Sequence, residues 1–428
     1  MTTLTLYMCV LFLFCGTNAL NNGVGRTPPL GWNTWKTCGE ESCGHDICNE
    51  AEIKSVAMAM IQNGMQDLGY NYVNLDDCWA SKRNETDQTL TWDAQRFPSG
   101  IPTLIDWLHS KGFKFGLYTS AGNQTCSSGN RTYPIPGSRG HYGLDAQTFA
   151  NWQVDYVKLD WCGDIKKDFA VGKKAHVDFA HAMNVSGRAM FLEVVAGYFF
   201  TWSDVPTVAN SWRFCTDHHD EWKSTNVQMT CRLDQKTKVA GTPGGWPFMD
   251  MLVTGGEGCS PFSKGPHCPG QTDDEYRTAF VMWSISQSPL IIASDVRVLT
   301  PVMKQTLLNK PLIDLHQSID TPPGKHLAFW DCSELLMCEI WGREMSIAAT
   351  STGSTGTNKM WMVVLLNRGK RHHNITVDWK TLGMLDTNSA NVYDIWSNST
   401  LIDENKTVSF TAEVPSHGTA VIKIEMVA

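Results

Sequence analysis

One unit recurs through about the first 300 residues of the chain: a helical stretch, a glycine, then a short β-branched and aromatic run ending in a polar side chain. In "NEAEIKSVAMAMIQNGMQDLGYNYVNLDD", Asn49 and Glu52 have the spacing of a capping box, and Ile53, Val56, Met60 and Leu68 recur near helical spacing. Gly69 is expected to stop the helix, and residues 70–75 read as a strand ending at Asp76 and Asp77. Further copies end at Tyr118, Asp160, Glu193, Asp217, Asp250 and Asp295, and "LGWNTW" supplies an opening strand. Strands alternating with helices give a parallel sheet, and eight of them predict a (β/α)8 TIM barrel over residues 20–320. A doubly wound sheet would more naturally carry a glycine-rich phosphate loop after its first strand, and no GxGxxG or GxxxxGK[ST] stands there. After about residue 320 the texture changes. "LLMCEIWG", "MSIAAT", "KMWMVVLLNR", "HNITVDWK", "NVYDIWSN", "TVSFTAEV" and "TAVIKIEM" are short strand-like runs between turn-rich pieces, so residues 321–428 predict a C-terminal antiparallel β-sandwich.

The first 19 residues are apolar and end in Thr17-Asn18-Ala19, with small residues where a signal peptidase reads. No second hydrophobic span follows, so a cleaved signal peptide is expected and not a membrane anchor. Its removal takes Cys9 and Cys15 and leaves twelve of the 14 cysteines, an even set suited to disulfides in an exported chain. Seven Asn-X-Ser/Thr sequons, at Asn84, Asn123, Asn130, Asn184, Asn374, Asn398 and Asn405, fit a glycosylated product of the secretory pathway, secreted or lysosomal. A net charge of −8 with no basic run argues against a nucleic-acid partner. Cys38, Cys43 and Cys48 surround His45, yet no CxxC pair or HxxxH partner accompanies them, and local disulfides are preferred to zinc. Adjacent His218 and His219 cannot easily ligate one ion, so neither metal nor cofactor is expected.

The C-terminal strand ends of such a barrel meet on one face. Asp76, Asp77, Tyr118, Lys158, Asp160, Glu193, Arg213, Asp217 and Asp250 would then share one rim. Any one acid at a strand end is more often a helix cap or an ion-pair partner. Their coincidence with Trp32, Trp35, Trp79, Trp161, Trp212 and Trp246 is the chemistry of a sugar site, in which carboxylates bind hydroxyls and indole faces cover C–H surface. Two of the acids could act as nucleophile and general acid/base. Their carboxyl groups would stand about 5–5.5 Å apart for retention and about 6.5–9.5 Å for inversion, which the sequence does not choose between. Lys158 lies two residues before Asp160 on one strand face and would favour its ionised form, which makes Asp160 the candidate nucleophile.

"GWNTW", "LDDCW", "RFPSGI", "HSKGFKFGLYTSAGNQTC", "DAQTFANWQVDYVKLDWC", "SWRFCTDHHDEW" and "GGWPFMDML" closely resemble, in family order, the α-galactosidase and α-N-acetylgalactosaminidase family of retaining glycosidases, glycoside hydrolase family 27. The resemblance spans nearly the whole mature chain and implies the same barrel and sandwich. It implies Asp160 as nucleophile and Asp217 as acid/base. It also implies that Asp76 and Asp77 bind the axial 4-hydroxyl and the 6-hydroxyl, Lys158 the 3- and 4-hydroxyls, and Arg213 the substituent at carbon 2. Trp35, Trp79 and Tyr118 would line the sugar. Disulfides Cys38–Cys78, Cys43–Cys48 and Cys126–Cys162 follow from the same resemblance. Cys215–Cys231, Cys259–Cys268 and Cys332–Cys338 are the simplest pairings of the rest by proximity.

Within the family the loop after strand five sets specificity at carbon 2, with Glu and then Leu three residues later in the galactosidase type and Ser and Ala in the N-acetylgalactosaminidase type. This chain has Glu193 and Ala196. The expected substrate is terminal α-linked galactose on an oligosaccharide or glycoconjugate, cleaved by double displacement. α-N-acetylgalactosamine and β-L-arabinopyranose, which lacks carbon 6, are alternatives on the same scaffold, and Asp77 and Trp35 favour a sugar with a 6-hydroxyl. A catalytically inactive secreted sugar-binding protein would have lost one acid of the pair, and both are present. Where many relatives read W-N-D-P-D, Phe248 replaces the first acid of the motif and Asp250 keeps the second. Phe248 is expected to bring apolar surface to the sugar site. Residues 255–271 form a longer segment after that strand than the family suggests, either a loop shaping the leaving-group side or an inert insertion. The expected partner is the α-galactoside alone, with neither nucleic acid nor membrane, and a homodimer is compatible with the sequence.

Overall fold

The computed structural model describes residues 22–35, 37, 47–77, 79–127, 134–195, 199–201, 203–232, 244–255, 270–333, 336–346, 359–384, 389–405 and 408–427. Eight strands form one parallel sheet: β1 (Leu30–Asn33), β2 (Tyr72–Leu75), β3 (Lys114–Ser120), β4 (Tyr156–Asp160), β5 (Phe191–Val194), β6 (Ser211–Arg213), β7 (Trp246–Phe248) and β8 (Leu290–Ile292). β8 pairs with β1. The ring closes just past β7, where Leu252 bridges Ile292 and the Ala293 N–H donates to the Leu252 carbonyl at 2.7 Å.

Around the sheet lie α1 (Glu50–Gln62), α2 (Ile101–Ser110), α3 (Tyr142–Asn151), α4 (Phe169–Val185), α5 (Trp222–Arg232), α6 (Asp273–Ile285), α7 (Pro301–Leu307) and α8 (Lys310–Gln317). Asn49 caps α1 by accepting the Glu52 N–H at 3.0 Å, while the Glu52 carboxylate engages Arg297. The helix ends at Gln62 and not at Gly69. Asn63 is its cap and Gly64 turns the chain at φ +81°, a left-handed conformation that glycine adopts without strain. Gly69 ends a separate turn, Gln66–Leu68.

Tyr72, Tyr156, Phe191 and Trp246 are the first inward residues of β2, β4, β5 and β7, and they pack into one aromatic cluster. Tyr156 and Phe191 stack with centroids 4.7 Å apart. This layer fills the N-terminal end of the barrel, so the polar strand ends at the other end surround a cup closed from below.

The second body comprises β9 (Lys325–Ser333), β10 (Leu336–Ser346), β11 (Lys359–Asn367), β12 (His373–Asp378), β13 (Ser389–Asp394), β14 (Ser399–Asn405), β15 (Ser409–Val414) and β16 (Thr419–Val427). An antiparallel sheet in the order β9-β10-β11-β16-β13-β14 faces the β12-β15 pair, with Val363, Leu365, Ile422 and Ile424 buried against Ile375, Val377 and Val414. Leu336 to Gly342 and the start of "MSIAAT" belong to one strand. Gly342 looks like a break but sits mid-strand, where Leu327 and Trp361 occupy the space of a side chain. β9 lies ahead of the strand-like runs that the sequence suggested. Arg343 ties the two bodies together, donating to the carbonyls of Leu315, Ser318 (2.6 Å) and Thr321 (2.8 Å) at the end of α8. No helix among the described residues is long and apolar enough to cross a membrane.

Candidate active site

Strand pleating sends alternate residues inward, so β4 turns Tyr156, Lys158 and Asp160 into the barrel. Lys158 lies in register with Tyr118 on β3 and Glu193 on β5. Its ammonium donates to Asp76 at 2.7 Å and lies 5.5 Å from the Trp35 ring centre and 5.3 Å from that of Tyr118. Burial works to lower its pKa, but the carboxylates of Asp76, Glu193 and Asp160 outweigh burial and hold it above the ordinary lysine value. Beside Asp76, the Asp77 carboxylate accepts the Ser127 N–H at 2.7 Å, and burial pushes its pKa up to about 6.

Asp160 accepts the Tyr118 hydroxyl at 2.8 Å on one oxygen and the Trp161 N–H at 2.8 Å on the other. Burial raises its pKa. Lys158, the Tyr118 and Trp161 donors, and Arg213 all oppose that rise. The role that the sequence assigned to Lys158 alone is thus shared among four groups, because the ammonium is bonded directly to Asp76. Cys126 and Cys162 form a disulfide beside the acid, with Sγ of Cys126 3.1 Å from Asp160 Oδ2. The loops meet so closely here that a side chain at Gly122 would place its Cβ 1.8 Å from the Cys162 carbonyl oxygen.

Across the cup, the Tyr156 hydroxyl donates to Glu193 Oε2. Glu193 Oε1 is buried and has no hydrogen-bond partner among the described residues. Burial pushes this carboxyl up to about 7, against Lys158, Tyr156 and Arg213. Arg213 donates to Asp217 at 2.5 Å and lies 3.5 Å from Asp250. Asp217 stands on the loop beyond β6 with half of its side chain exposed. Asp250 has a left-handed backbone, φ +69°, which is strained for a residue with a Cβ. The Trp283 indole N–H on its carbonyl (2.7 Å) and the His218 N–H on Oδ2 (2.7 Å) hold it there. Its Oδ1 is buried without a partner among the described residues.

Some residues fall outside the places expected of them. Trp79 is 1% exposed, packs against Phe149 and Trp152, and donates to the Tyr118 carbonyl, so it braces the wall from behind and does not line the sugar. Trp32, Trp212 and Trp246 are also buried, and of the six tryptophans only Trp35 and Trp161 keep partial exposure. For Trp212 the cause is the pleat, which turns it outward between inward Ser211 and Arg213. Phe248 is fully buried with Met251, Ile291 and Ala293, and Trp35 packs on this cluster. It supports the Trp35 ring from beneath, so the site gains a support and not an apolar sugar wall. His218 uses both ring nitrogens within the fold, toward the Met251 carbonyl and the Thr225 hydroxyl, at 2.8 Å each. Tyr156 escaped the sequence reading, although its period-two relation to Lys158 and Asp160 could have found it. The main-chain donors at Ser127, Trp161 and His218 carry no side-chain signal.

Disulfides also join Cys215 to Cys231 and Cys332 to Cys338, and Cys48 is disulfide-bonded. Cys38, Cys43, Cys78, Cys259 and Cys268 lie outside the described residues, as do Asn130, Ala196, Gly197, residues 1–19 and most of 255–271. Asn84, Asn123, Asn184, Asn374 and Asn398 are exposed.

A closed-bottomed parallel barrel with a carboxylate-rich rim, joined to an antiparallel sandwich, defines a glycosidase architecture. The chain belongs to the alpha galactosidase A family, whose model matches residues 27–318. The model of the alpha galactosidase C-terminal beta sandwich domain matches residues 338–424. It is 34% identical over 400 residues to an alpha-galactosidase of Cyamopsis tetragonoloba, covering 92% of this chain and 85% of that one. To an alpha-galactosidase of Coffea arabica it is 35% identical over 392 residues, 89% of each chain. Among solved structures, alpha-galactosidase I from Mortierella vinacea matches with a TM-score of 0.77 and 27% identity, covering 94% of this chain and 98% of that one.

Proposed function

We propose that this protein is a retaining exo-α-galactosidase that removes terminal α-linked galactose from oligosaccharides or glycoconjugates by double displacement. The observation that carries the reading is the pair of buried carboxylate oxygens, Glu193 Oε1 and Asp250 Oδ1, that have no partner among the described residues and stand on either side of Arg213. Buried acceptors left open are costly unless a ligand hydroxyl completes them. The closed barrel floor admits a sugar from the open face only, which suits a chain end.

In this reading Asp160 attacks the anomeric carbon while Asp217, at the solvent side, protonates the departing oxygen. The bond from carbon 1 to the leaving oxygen breaks as the bond to Asp160 forms. Asp217 then takes a proton from water, whose oxygen displaces Asp160 and releases galactose with its configuration retained. The Arg213 guanidinium is bonded to Asp217, and a sugar hydroxyl arriving at Arg213 competes for that guanidinium. Asp76, Asp77 and Lys158 take hydroxyls 3, 4 and 6, Glu193 and Arg213 face carbon 2, and Trp35 and Tyr118 border the ring. Residues 1–19 and the five exposed sequons support passage through the secretory pathway, to secretion or a lysosome.

Hydrolysis of an aryl α-galactoside tests the reading. Asp160→Asn should cost about a thousandfold in kcat/KM, and Asp217→Asn a similar factor where the leaving group must be protonated, on the order of 4 kcal/mol. Comparison with aryl α-N-acetylgalactosaminide and β-L-arabinopyranoside should leave galactose with the largest specificity constant. No turnover of any of the three by the native enzyme would overturn the proposal.

A further inference from the structure

Helix α5, "WKSTNVQMTCR", is mostly polar: Met229 and Trp222 pack on the hydrophobic core, and its polar side chains bridge two bodies. At 3.6 residues per turn its side chains divide into two opposite stripes. Ser224, Gln228 and Cys231 form one, and every one of them grips the loop that carries Asp217. The Gln228 amide donates to the Thr216 carbonyl at 2.5 Å, the His219 N–H donates to the Ser224 hydroxyl at 2.9 Å, and Cys231 is disulfide-bonded to Cys215. Trp222, Asn226 and Thr230 form the other stripe.

This second stripe is held by the C-terminal sandwich. Arg368, directly after β11, donates to Asn226 Oδ1 at 2.6 Å and to the Thr230 hydroxyl at 3.1 Å. Its guanidinium is 4% exposed and paired with fully buried Glu339 at 2.6 Å, and Glu339 also accepts the Trp341 indole N–H at 2.7 Å. At the start of the helix the His417 ring stacks on Trp222 at 4.4 Å and 11°, with its Nδ1 2.6 Å from Glu275 on α6. Such an anchor resists displacement, because the ion pair is buried and removal of either partner is costly.

We propose that the C-terminal sandwich positions the acid/base: Arg368 fixes α5 through Asn226 and Thr230, and α5 fixes the loop that presents Asp217 to the glycosidic oxygen. This rests on the assignment of Asp217 as acid/base. Asn226 and Arg368 are positioning residues that touch no substrate. A small displacement of a catalytic group by a distant change can cost about a hundredfold. Here that loss falls on protonation of the leaving group.

The test compares kcat/KM for an alkyl α-galactoside, whose leaving group must be protonated, with that for a dinitrophenyl α-galactoside, whose leaving group departs unaided. Asn226→Ala keeps the Arg368–Glu339 pair, and Thr230→Val serves if that variant folds poorly. The expected result is a loss of about ten- to hundredfold on the alkyl substrate and less than about threefold on the dinitrophenyl substrate, with a melting temperature near that of the native protein. Equal losses on both substrates, or no loss on either, would overturn the proposal. Asp217→Ala is the reference. If it lacks the same contrast between leaving groups, the acid/base assignment falls and takes this proposal with it. If it shows the contrast and Asn226→Ala does not, only the role of the sandwich falls.

Discussion

Glu193 links the site to stability. Its carboxyl, ordinarily near 4.5, is pushed up to about 7 by burial, so the folded protein binds this proton more tightly than the unfolded chain. The stabilisation is complete below about pH 4.5 and is lost as pH rises through about 7. Asp77, pushed up to about 6, acts in the same direction. His176 and His316, pushed down to about 4 and about 3 by burial, act oppositely, since their stabilisation holds above about 6.5 and is lost as pH falls. A difference measurement isolates Glu193. In thermal melts the gap between Glu193→Gln and the native protein should move in the variant's favour from about pH 4.5 to about 7, and a constant gap would refute this. Phe248→Ala should cost about 3–5 kcal/mol in denaturant unfolding, because it empties the support beneath Trp35. At this scale the acids were legible, because each lies at or a few residues beyond the C-terminal end of a strand, Asp217 four residues past β6, and those ends converge. Their partners were less so: Tyr156 belongs to the same face as Lys158, but the N–H groups of Ser127, Trp161 and His218 exist in every sequence.

Between elements, the contact of the β3 and β4 loops is the tightest beside the catalytic pair. Gly122→Ala must push the Cys162 carbonyl away from its place, and with it the loop behind Asp160. A loss of about 1–3 kcal/mol in stability and a lower kcat are expected from unfolding and steady-state measurements. A native kcat in the variant would show that Asp160 does not depend on this contact. The order of helices and strands could be read from alternating periods, whereas their ends could not. α1 stops at Asn63-Gly64 because that pair turns the chain before Gly69 can, and β10 runs through Gly342 because Trp361 and Leu327 fill the missing side chain. Trp79 and Trp212 were expected in the pocket for the same reason. Proximity to a strand end does not reveal which side of the pleat faces inward.

Over the whole molecule, the change in sequence texture near residue 320 marks two bodies but says nothing of how they dock. Arg343 meets the end of α8, and Arg368 reaches Asn226 across 142 residues of sequence. Pairing at that distance leaves no local pattern. Arg343→Leu should cost about 3–5 kcal/mol in denaturant unfolding, by leaving the buried Leu315 carbonyl and the partly buried carbonyls of Ser318 and Thr321 without their donor. The central claim is that Asp160 carries the sugar between the two displacements. Peptide mapping by mass spectrometry, after reaction with a slow fluorine-substituted α-galactosyl fluoride, tests it most directly. A galactosyl adduct on the peptide containing Asp160 is the predicted result. An adduct on another carboxylate, or none while the reagent is turned over, would contradict the account.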